Sequence, residues 1–141
     1  MKKLFYIFIL LFIVGWAQAQ QRVVYTINDG WKFTKGSPFE AQLTGCDDSS
    51  WETVNIPHTW NDKDADDETP GFYRGPVWYR KQLFIDKSQE GRQAVIYFEG
   101  ANQEVRFYLN GQFVGEHKGG YTRFCFDITS HLRYGQENLF A

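Results

Sequence analysis

The sequence of 141 residues predicts an all-β fold, a sandwich of two packed sheets. Apolar and polar residues alternate with a period of two along much of the chain, and no long segment has helical periodicity. Turn signals separate these short runs at the spacing typical of sandwiches. Aromatic residues make up 18% of the chain, and most of them are expected to fill the core, since such side chains pack well on pleated surfaces.

The first nineteen residues are typical of an export signal. Lys2 and Lys3 give it a positive start, residues 4–16 form an apolar run, and Ala17-Gln18-Ala19 is a small-residue cleavage site. The run is shorter than the roughly 20 apolar residues that a membrane-spanning helix needs. We therefore expect cleavage after Ala19, an exported periplasmic or extracellular protein, no membrane association after cleavage, and one mature domain over residues 20–141.

Eight segments have the pattern of strands. In the 104–109 segment, Val105, Phe107 and Leu109 share one face, opposite more polar neighbours, which indicates one buried and one solvated side. The eight segments are 23–27, 31–33, 51–56, 76–85, 93–100, 104–109, 112–116 and 123–128.

Glycines mark the sharpest breaks between these strands. Asn110-Gly111 predicts a type I′ hairpin turn, because both central residues of that turn need positive φ. Gly119-Gly120 marks a second break. Residues 128–132 are expected to form one helical turn before Gly135.

The last residues, 137–141, have the pattern of another strand, and the chain stops within an apolar run. A strand lost here would leave its neighbour with an unpaired edge. We therefore expect a sandwich that is truncated at its C-terminal strands, in a chain that is part of a longer protein.

The charge argues against a nucleic-acid partner. Of the 15 basic residues, two lie in the predicted signal, which leaves 13 against 17 acidic residues. Binding to nucleic acid relies on cationic side chains that meet phosphates, and no basic stripe is present. Cys46 and Cys125 match no metal-binding spacing; export makes a disulfide possible, but we expect two ordinary packed thiols and no cofactor.

An acidic stretch follows Asn61 and resembles a calcium loop in part. Asp62, Asp64 and Asp66 occupy positions 1, 3 and 5 of an EF-hand pattern. Position 6 is Asp67 where Gly is required, and position 12 is Tyr73 where Glu is required. The stretch therefore predicts a solvated acidic loop and no metal site.

Four ordered motifs carry a family resemblance. They are Asp29-Gly30-Trp31-Lys32-Phe33; Asp48-Ser49-Ser50-Trp51 with Ile56-Pro57-His58-Thr59-Trp60-Asn61; Gly75-Pro76-Val77-Trp78-Tyr79-Arg80-Lys81; and Asn110-Gly111 followed by Gly119-Gly120-Tyr121 and Phe126-Asp127-Ile128-Thr129. Each motif is weak by itself, but the ordered set is specific and covers nearly all of the mature chain. The chain resembles the N-terminal sugar-binding domain of the family 2 glycoside hydrolases, the β-galactosidase group.

The resemblance implies a jelly-roll, galactose-binding-like sandwich and a retaining β-glycosidase. Such enzymes use two carboxyl groups roughly 5–5.5 Å apart, which in this family are glutamates on a separate (β/α)8 barrel, the acid/base one after an asparagine. This chain has no Asn-Glu pair and lacks the roughly 200 residues of a barrel. We therefore assign no catalytic residue. Glu99 and Glu104 are expected to be solvated or structural, and the expected partners are a β-linked glycan and the rest of the parent chain.

The resemblance also implies a substrate-contacting loop at residues 58–62. Asn61 and Asp62 are the main candidates, because amide and carboxylate groups pair with sugar hydroxyls, although both could simply build a turn. Trp60 could stack on a sugar ring, but packing under the loop is favoured. His58 is a further candidate, with a structural hydrogen bond as the favoured role.

Other residues have structural interpretations. Trp51 and Trp78 are expected to anchor the core. Arg80 lies among aromatic residues on a strand and is expected to form a buried or half-buried ion pair rather than a sugar contact. Asp127 is expected to cap the turn that follows it.

Three functions are compatible with these observations. The leading one is the sugar-binding domain of an exported β-glycosidase, β-galactosidase-like, with glucuronidase and mannosidase left open. The alternative is a free-standing carbohydrate-binding module, because jelly-roll sandwiches also occur in lectins. A cell-surface interaction domain without a ligand is the third.

Overall fold

Residues 22–61 and 72–141 are described by a computed structural model of the chain. They form eight strands in two antiparallel sheets, which confirms the predicted all-β sandwich. The strands are β1 Trp31–Lys35, β2 Glu52–Val54, β3 Val77–Ile85, β4 Val95–Phe98, β5 Glu104–Leu109, β6 Gln112–Lys118, β7 Phe124–Asp127 and β8 Gln136–Phe140, with short 3₁₀ turns at Lys87–Gln89 and Thr129–His131.

The larger sheet has the order β2-β1-β3-β8-β5-β6, and the smaller sheet pairs β4 with β7. The last strand of the described chain therefore lies inside the larger sheet, with β3 on one side and β5 on the other. Lys81 of β3 and Leu109 of β5 both lie opposite Phe140. The strand predicted at residues 137–141 is confirmed as β8. It lies between β3 and β5, which both precede it in the sequence.

Aromatic side chains from both sheets form much of the core. Phe107 and Phe126 lie nearly parallel, with ring centroids 5.9 Å apart, and Phe98 meets Phe107 edge-on at 5.9 Å. The Phe126 ring fits because Gly115 on β6 has no side chain, since a Cβ there would stand 2.6 Å from Phe126 Cε1. The buried cluster consists of Trp31, Phe33, Val54, Ile96, Phe107, Leu109, Ile128 and Phe140.

Seven of the eight predicted strands exist, the one at residues 104–109 with the predicted bounds and the other six with shifted ends, and the strand predicted at residues 23–27 is wrong. Residues 22–28 have no ladder partner within the described part of the chain, and Val24 and Tyr25 are 73% and 70% exposed. Their composition suits a strand, but a strand also needs a neighbour with which to exchange hydrogen bonds.

The Asn110-Gly111 turn has the predicted positive φ values, 54° and 83°. It is tied to β8 by a buried amide network. Asn110 Nδ2 donates to Asn138 Oδ1 (2.9 Å), and the fully buried Asn138 donates in turn to Arg133 O (2.7 Å) and Gln136 O (3.1 Å). These bonds satisfy polar groups that would otherwise be costly to bury.

Arg80 forms the predicted buried ion pair. The side chain is 1% exposed, and its Nη1 donates to Ala41 O (2.9 Å) and Leu43 O (3.1 Å). Its Nε lies 2.9 Å from Asp48 Oδ2, a charge contact that lacks the alignment of a hydrogen bond. The guanidinium also lies over the Trp51 ring, 5.6 Å from the centroid.

Trp51 and Trp78 are not core anchors, and this prediction is wrong. Both are half-buried and stand outside the buried cluster, where the buried tryptophan is Trp31. On β3, Trp78 shares the outer face with Arg80, because side chains two residues apart point to the same side. There Trp78 contacts Tyr108, with ring centroids 5.9 Å apart.

Asp127 caps a turn, and the two cysteines are free thiols. Asp127 Oδ1 accepts the Thr129 N–H at 2.9 Å, which confirms the predicted cap of the following turn. Cys46 is half-buried, but Cys125 is exposed and is not the packed thiol that was expected.

Candidate functional site

The segment that links β2 to β3 carries the candidate residues. His58, Trp60 and Asn61 follow the cis Ile56–Pro57 peptide bond, and Tyr73 precedes β3. Asp62 lies outside the described residues, as do Asp64, Asp66 and Asp67 of the acidic stretch. The structure thus brings three of the four candidates onto one loop.

His58 fixes the start of this loop to the sheet. Its Nδ1 lies 2.8 Å from Tyr79 Oη on β3, and its ring meets Phe33 of β1 edge-on at 4.6 Å. Burial raises the pKa of the Tyr79 phenol to about 12. The phenol is therefore neutral at physiological pH, and it holds the His58 ring through this hydrogen bond.

Trp60 and Asn61 are both held by one carbonyl, that of Tyr73. Trp60 Nε1 donates to Tyr73 O at 3.3 Å, and Asn61 Nδ2 donates to it at 3.4 Å. The Trp60 ring also packs against the buried cluster, which is the favoured of the two roles predicted for it. A residue whose ring and N–H are both engaged offers less surface for stacking on a sugar.

Tyr73 connects the loop to β1 and to the start of β3. Its hydroxyl donates to Pro76 O (2.8 Å) and accepts the Gly36 N–H (2.9 Å). Lys35 Nζ lies over its ring at 5.4 Å. In the sequence, Tyr73 stands out only as a failed calcium position, because nothing in the local pattern marks a residue whose partners are distant along the chain.

The side-chain amide of Asn61 has one hydrogen-bond acceptor that no described residue uses. Its Oδ1 is shielded from solvent and has no hydrogen-bond partner within residues 22–61 and 72–141. A buried carbonyl oxygen without a donor is costly, and an amide can present donor and acceptor together to a hydroxyl-bearing ligand. Asn61 therefore stays a candidate for binding a sugar hydroxyl.

The two glutamates noted in the sequence, Glu99 and Glu104, are exposed, and the described residues contain no metal cluster. Glu104 is exposed and faces cations, 3.3 Å from Arg106 Nη2 and 3.8 Å from Lys118 Nζ, and Glu99 is also exposed. No group of three or more His, Cys, Asp or Glu residues is placed to hold a metal ion in this part of the chain. Nor does any helix found within it have the length and apolarity to cross a membrane.

Residues 15–141 match the family model described as "Glycosyl hydrolases family 2, sugar binding domain". The chain belongs to glycoside hydrolase family 2. The match covers both sheets and the loop just described, so these are the sheets and loop of a family 2 sugar-binding domain.

Curated relatives and solved structures agree with this membership. A "Beta-glucuronidase" from Formosa agariphila is 39% identical over 131 residues, which cover 87% of this chain and 13% of the relative. A "Beta-galactosidase" from Thermoanaerobacter pseudethanolicus is 39% identical and covers 85% of this chain and 16% of the relative. A crystal structure of Bacteroides uniformis β-glucuronidase superposes with a TM-score of 0.79 at 39% identity, over 85% of this chain and 14% of that one.

These proportions show that this family 2 domain corresponds to a small part of its relatives. It spans about a seventh of their length. The crystal structure of the Bacteroides uniformis enzyme shares the fold of this part. In this chain the part contains the loop with Asn61 and the Tyr73 carbonyl that holds it.

Proposed function

We propose that this family 2 domain is the sugar-binding part of a larger exported, retaining β-glycosidase that acts on β-galactosides or β-glucuronides. The relatives named above carry those two names, and the domain spans 13% and 16% of their lengths. The leader-like residues 1–19 support export.

We further propose that the loop of Asn61 and Asp62 helps to hold the sugar at a site completed by the rest of the enzyme. The observation that carries this proposal is the shielded Asn61 Oδ1, which lacks a partner in the described residues. The same amide is fixed through its Nδ2 on Tyr73 O. A polar group that is already held in place by a hydrogen bond loses little entropy when it binds a ligand.

The experiment uses the full-length enzyme and nitrophenyl β-galactoside and β-glucuronide as substrates. Asn61→Ala and Asp62→Ala should each lower kcat/KM about 10-fold, because one hydrogen bond to a sugar hydroxyl contributes on the order of 1–1.5 kcal/mol. The substrate that the unmodified enzyme turns over identifies the sugar.

Gln112→Ala is the matched control for these substitutions. It removes an exposed amide from β6, at the opposite edge of the larger sheet from β2, and should leave both kinetic constants unchanged. If Asn61→Ala and Asp62→Ala behave like Gln112→Ala, the loop does not contact the substrate. If no form of the enzyme turns over either substrate, the proposed enzyme class is wrong.

Export is tested by the N-terminus of the mature protein. Expression of the full-length gene in its natural host, followed by mass spectrometry of the secreted or periplasmic protein, should give a first residue of Gln20. A protein that retains Met1 in the cytoplasm would contradict export.

A further inference from the structure

Tyr73, whose carbonyl holds Trp60 and Asn61, is itself fixed by its own side chain. Its hydroxyl donates to Pro76 O (2.8 Å) and accepts from the Gly36 N–H (2.9 Å). The Gly36 N–H also donates to Pro76 O, over an N···O distance of 2.9 Å, so these three groups close on one another where the ladder between β1 and β3 ends. The hydroxyl therefore connects the segment before β3 to the end of β1.

The Tyr73 ring fits in this position because Gly75 has no side chain. A Cβ on Gly75 would lie 2.5 Å from Tyr73 Cζ and closer still to the hydroxyl oxygen, well inside van der Waals contact. Gly75 is not among the glycines with positive φ, so its backbone conformation suits other residues as well, and glycine provides space for the ring. The position of Tyr73 is thus set by its hydroxyl bonds and by the space at Gly75.

The Tyr73 carbonyl decides which end of the Asn61 amide is left for a ligand. A carbonyl oxygen only accepts hydrogen bonds, and its two lone pairs let it accept two of them. Here it accepts from Trp60 Nε1 (3.3 Å) and from Asn61 Nδ2 (3.4 Å). The nitrogen end of the Asn61 amide is therefore engaged, and the end without a partner in the described residues is the acceptor Oδ1. An amide held in this way takes a hydrogen-bond donor, such as a sugar hydroxyl.

We propose that Tyr73 is a positioning residue of the sugar site: its hydroxyl fixes its carbonyl, and the carbonyl orients the Asn61 amide so that Oδ1 accepts from a sugar hydroxyl. The inference rests on the proposed function, because the contact between Asn61 and the sugar belongs to it. Tyr73 acts through Asn61 and does not itself contact the sugar. Loss of the Tyr73 hydroxyl should therefore weaken sugar binding only while Asn61 is present.

The test is a double-mutant cycle in the full-length enzyme. Tyr73→Phe removes one oxygen atom and keeps the ring, and it should lower kcat/KM about 5-fold. In the Asn61→Ala background the same substitution should change kcat/KM less than about 2-fold, because the amide that Tyr73 orients is gone. A loss of the same size in both backgrounds would overturn the proposal, since a general structural role does not depend on Asn61. The control is Tyr97→Phe, which removes a hydroxyl from a 53% exposed side chain on β4 and should leave kcat/KM unchanged.

Asn61→Asp tests the orientation of the amide directly. A carboxylate keeps an acceptor for the sugar hydroxyl but cannot donate to the Tyr73 carbonyl. Asn61→Asp should therefore lower kcat/KM about 10-fold, as Asn61→Ala does. If Asn61→Asp retains the kcat/KM of the unmodified enzyme, the acceptor works without the Tyr73 carbonyl, and the proposal is wrong.

A further measurement does not depend on turnover. In the full-length enzyme, hydrogen exchange followed by mass spectrometry should show residues 58–61 exchanging about 10-fold or more faster in Tyr73→Phe, because the loop loses a fixed acceptor. Residues 104–118, the hairpin of β5 and β6, should exchange as in the unmodified enzyme. Gly75→Ala should give the same increase because it displaces the ring, and Gly45→Ala, with no atom within 4 Å of its Cβ, should not. Unchanged exchange of residues 58–61 in Tyr73→Phe would overturn the proposal.

The outcomes separate the role of Tyr73 from the proposed function. If Asn61→Ala lowers kcat/KM and Tyr73→Phe does not, Asn61 contacts the sugar without help from Tyr73, and only the positioning role is wrong. If Asn61→Ala leaves kcat/KM unchanged, the loop is not part of the sugar site, and both are wrong. Absence of turnover in every form of the enzyme overturns both as well.

Discussion

At the scale of single residues, Arg80 contacts four different groups through one buried side chain. One buried guanidinium serves two backbone carbonyls, the Asp48 carboxylate and the Trp51 ring. These contacts hold residues 41–51 against the outer face of the larger sheet. Arg is suited to this role because its planar group carries several donors in fixed directions.

Replacing Arg80 by Met should lower the free energy of unfolding by about 2–4 kcal/mol, because Asp48 and two carbonyls lose their cation and donors. Arg80→Lys should recover only part of this, since an ammonium cannot make the same set of contacts. Urea unfolding measures the free energy of unfolding of both variants.

Arg106→Met is the control, because the Arg106 side chain is 61% exposed and exposed ion pairs contribute less than about 1 kcal/mol. Equal losses of stability at the two positions would refute this role of Arg80.

Asp127 should make the free energy of unfolding depend on pH in the acid range. Hydrogen bonds from Thr129 and Gln93 lower the pKa of its carboxyl to about 2. Since the pKa is lower in the folded state than in the unfolded state, the contribution is complete above the unfolded value of about 3.9 and is lost as the pH falls towards 2. Asp127→Asn should therefore destabilise the protein at neutral pH and approach the unmodified protein between about pH 4 and pH 2.

Urea midpoints across this pH range test the prediction, and Glu99→Gln, at an exposed position, is the control. A carboxyl carbon of Asp127 that titrates near pH 4 by NMR would contradict it.

Residue roles were predictable where the partner is near in sequence or where chemistry demands one. Asp127 caps a turn two residues away, and a strand arginine among aromatic residues needs a counter-charge, so both predictions are confirmed. Tyr73 was missed because Gly36, one of its partners, lies 37 residues away. The predicted core position of Trp78 was wrong, because both faces of β3 carry apolar residues and the sequence does not reveal which face meets the core.

At the scale of elements, the contact between β6 and β7 joins the two sheets. Phe126 of the smaller sheet occupies the space that a side chain on Gly115 would fill. The pair is therefore a steric match between one residue without a side chain and one with a large ring.

Gly115→Ala should lower stability by about 1–3 kcal/mol, because overpacking forces the ring or the strand to move. Phe126→Leu, made with it, should relieve the clash, so that the double variant is more stable than the sum of the two single losses implies. Unfolding free energies of the four proteins of this cycle give the coupling. Gly45→Ala is the control, because no atom lies within 4 Å of the position that its Cβ would take. Gly91→Ala is unsuitable, because Gly91 has a positive φ that would itself strain an alanine. A coupling of zero would show that the clash is absent.

Most elements could be predicted because their signals are local. Alternation placed seven strands, and Asn110-Gly111 specified its turn, since positive φ at two successive residues restricts residue choice. The 23–27 segment carries the same alternation signal and is not a strand, because pairing depends on a neighbour that the segment itself does not encode.

At the scale of the whole molecule, the domain should bind sugar weakly or not at all by itself and should not hydrolyse glycosides. The 141-residue chain, purified to homogeneity, is expected to show no turnover of nitrophenyl β-galactoside or β-glucuronide, because it contains no Asn-Glu pair and lacks the roughly 200 residues of a catalytic barrel. Activity that co-purifies with the chain and is abolished by Glu104→Gln would contradict this. Tight binding on a glycan array would favour the free-standing carbohydrate-binding module.

The sequence by itself determined the fold class, the family and the loop that carries the candidate residues, because periodicity, turn chemistry and ordered motifs are properties of neighbouring residues. Tertiary structure alone decided the strand order, the face of each strand that meets the core and the hydrogen bonds by which Tyr73 holds the loop. The physical reason is that these features arise from pairing between segments far apart in the chain. A strand's own side chains set its two faces, but only the register with its neighbours assigns one of them to the core.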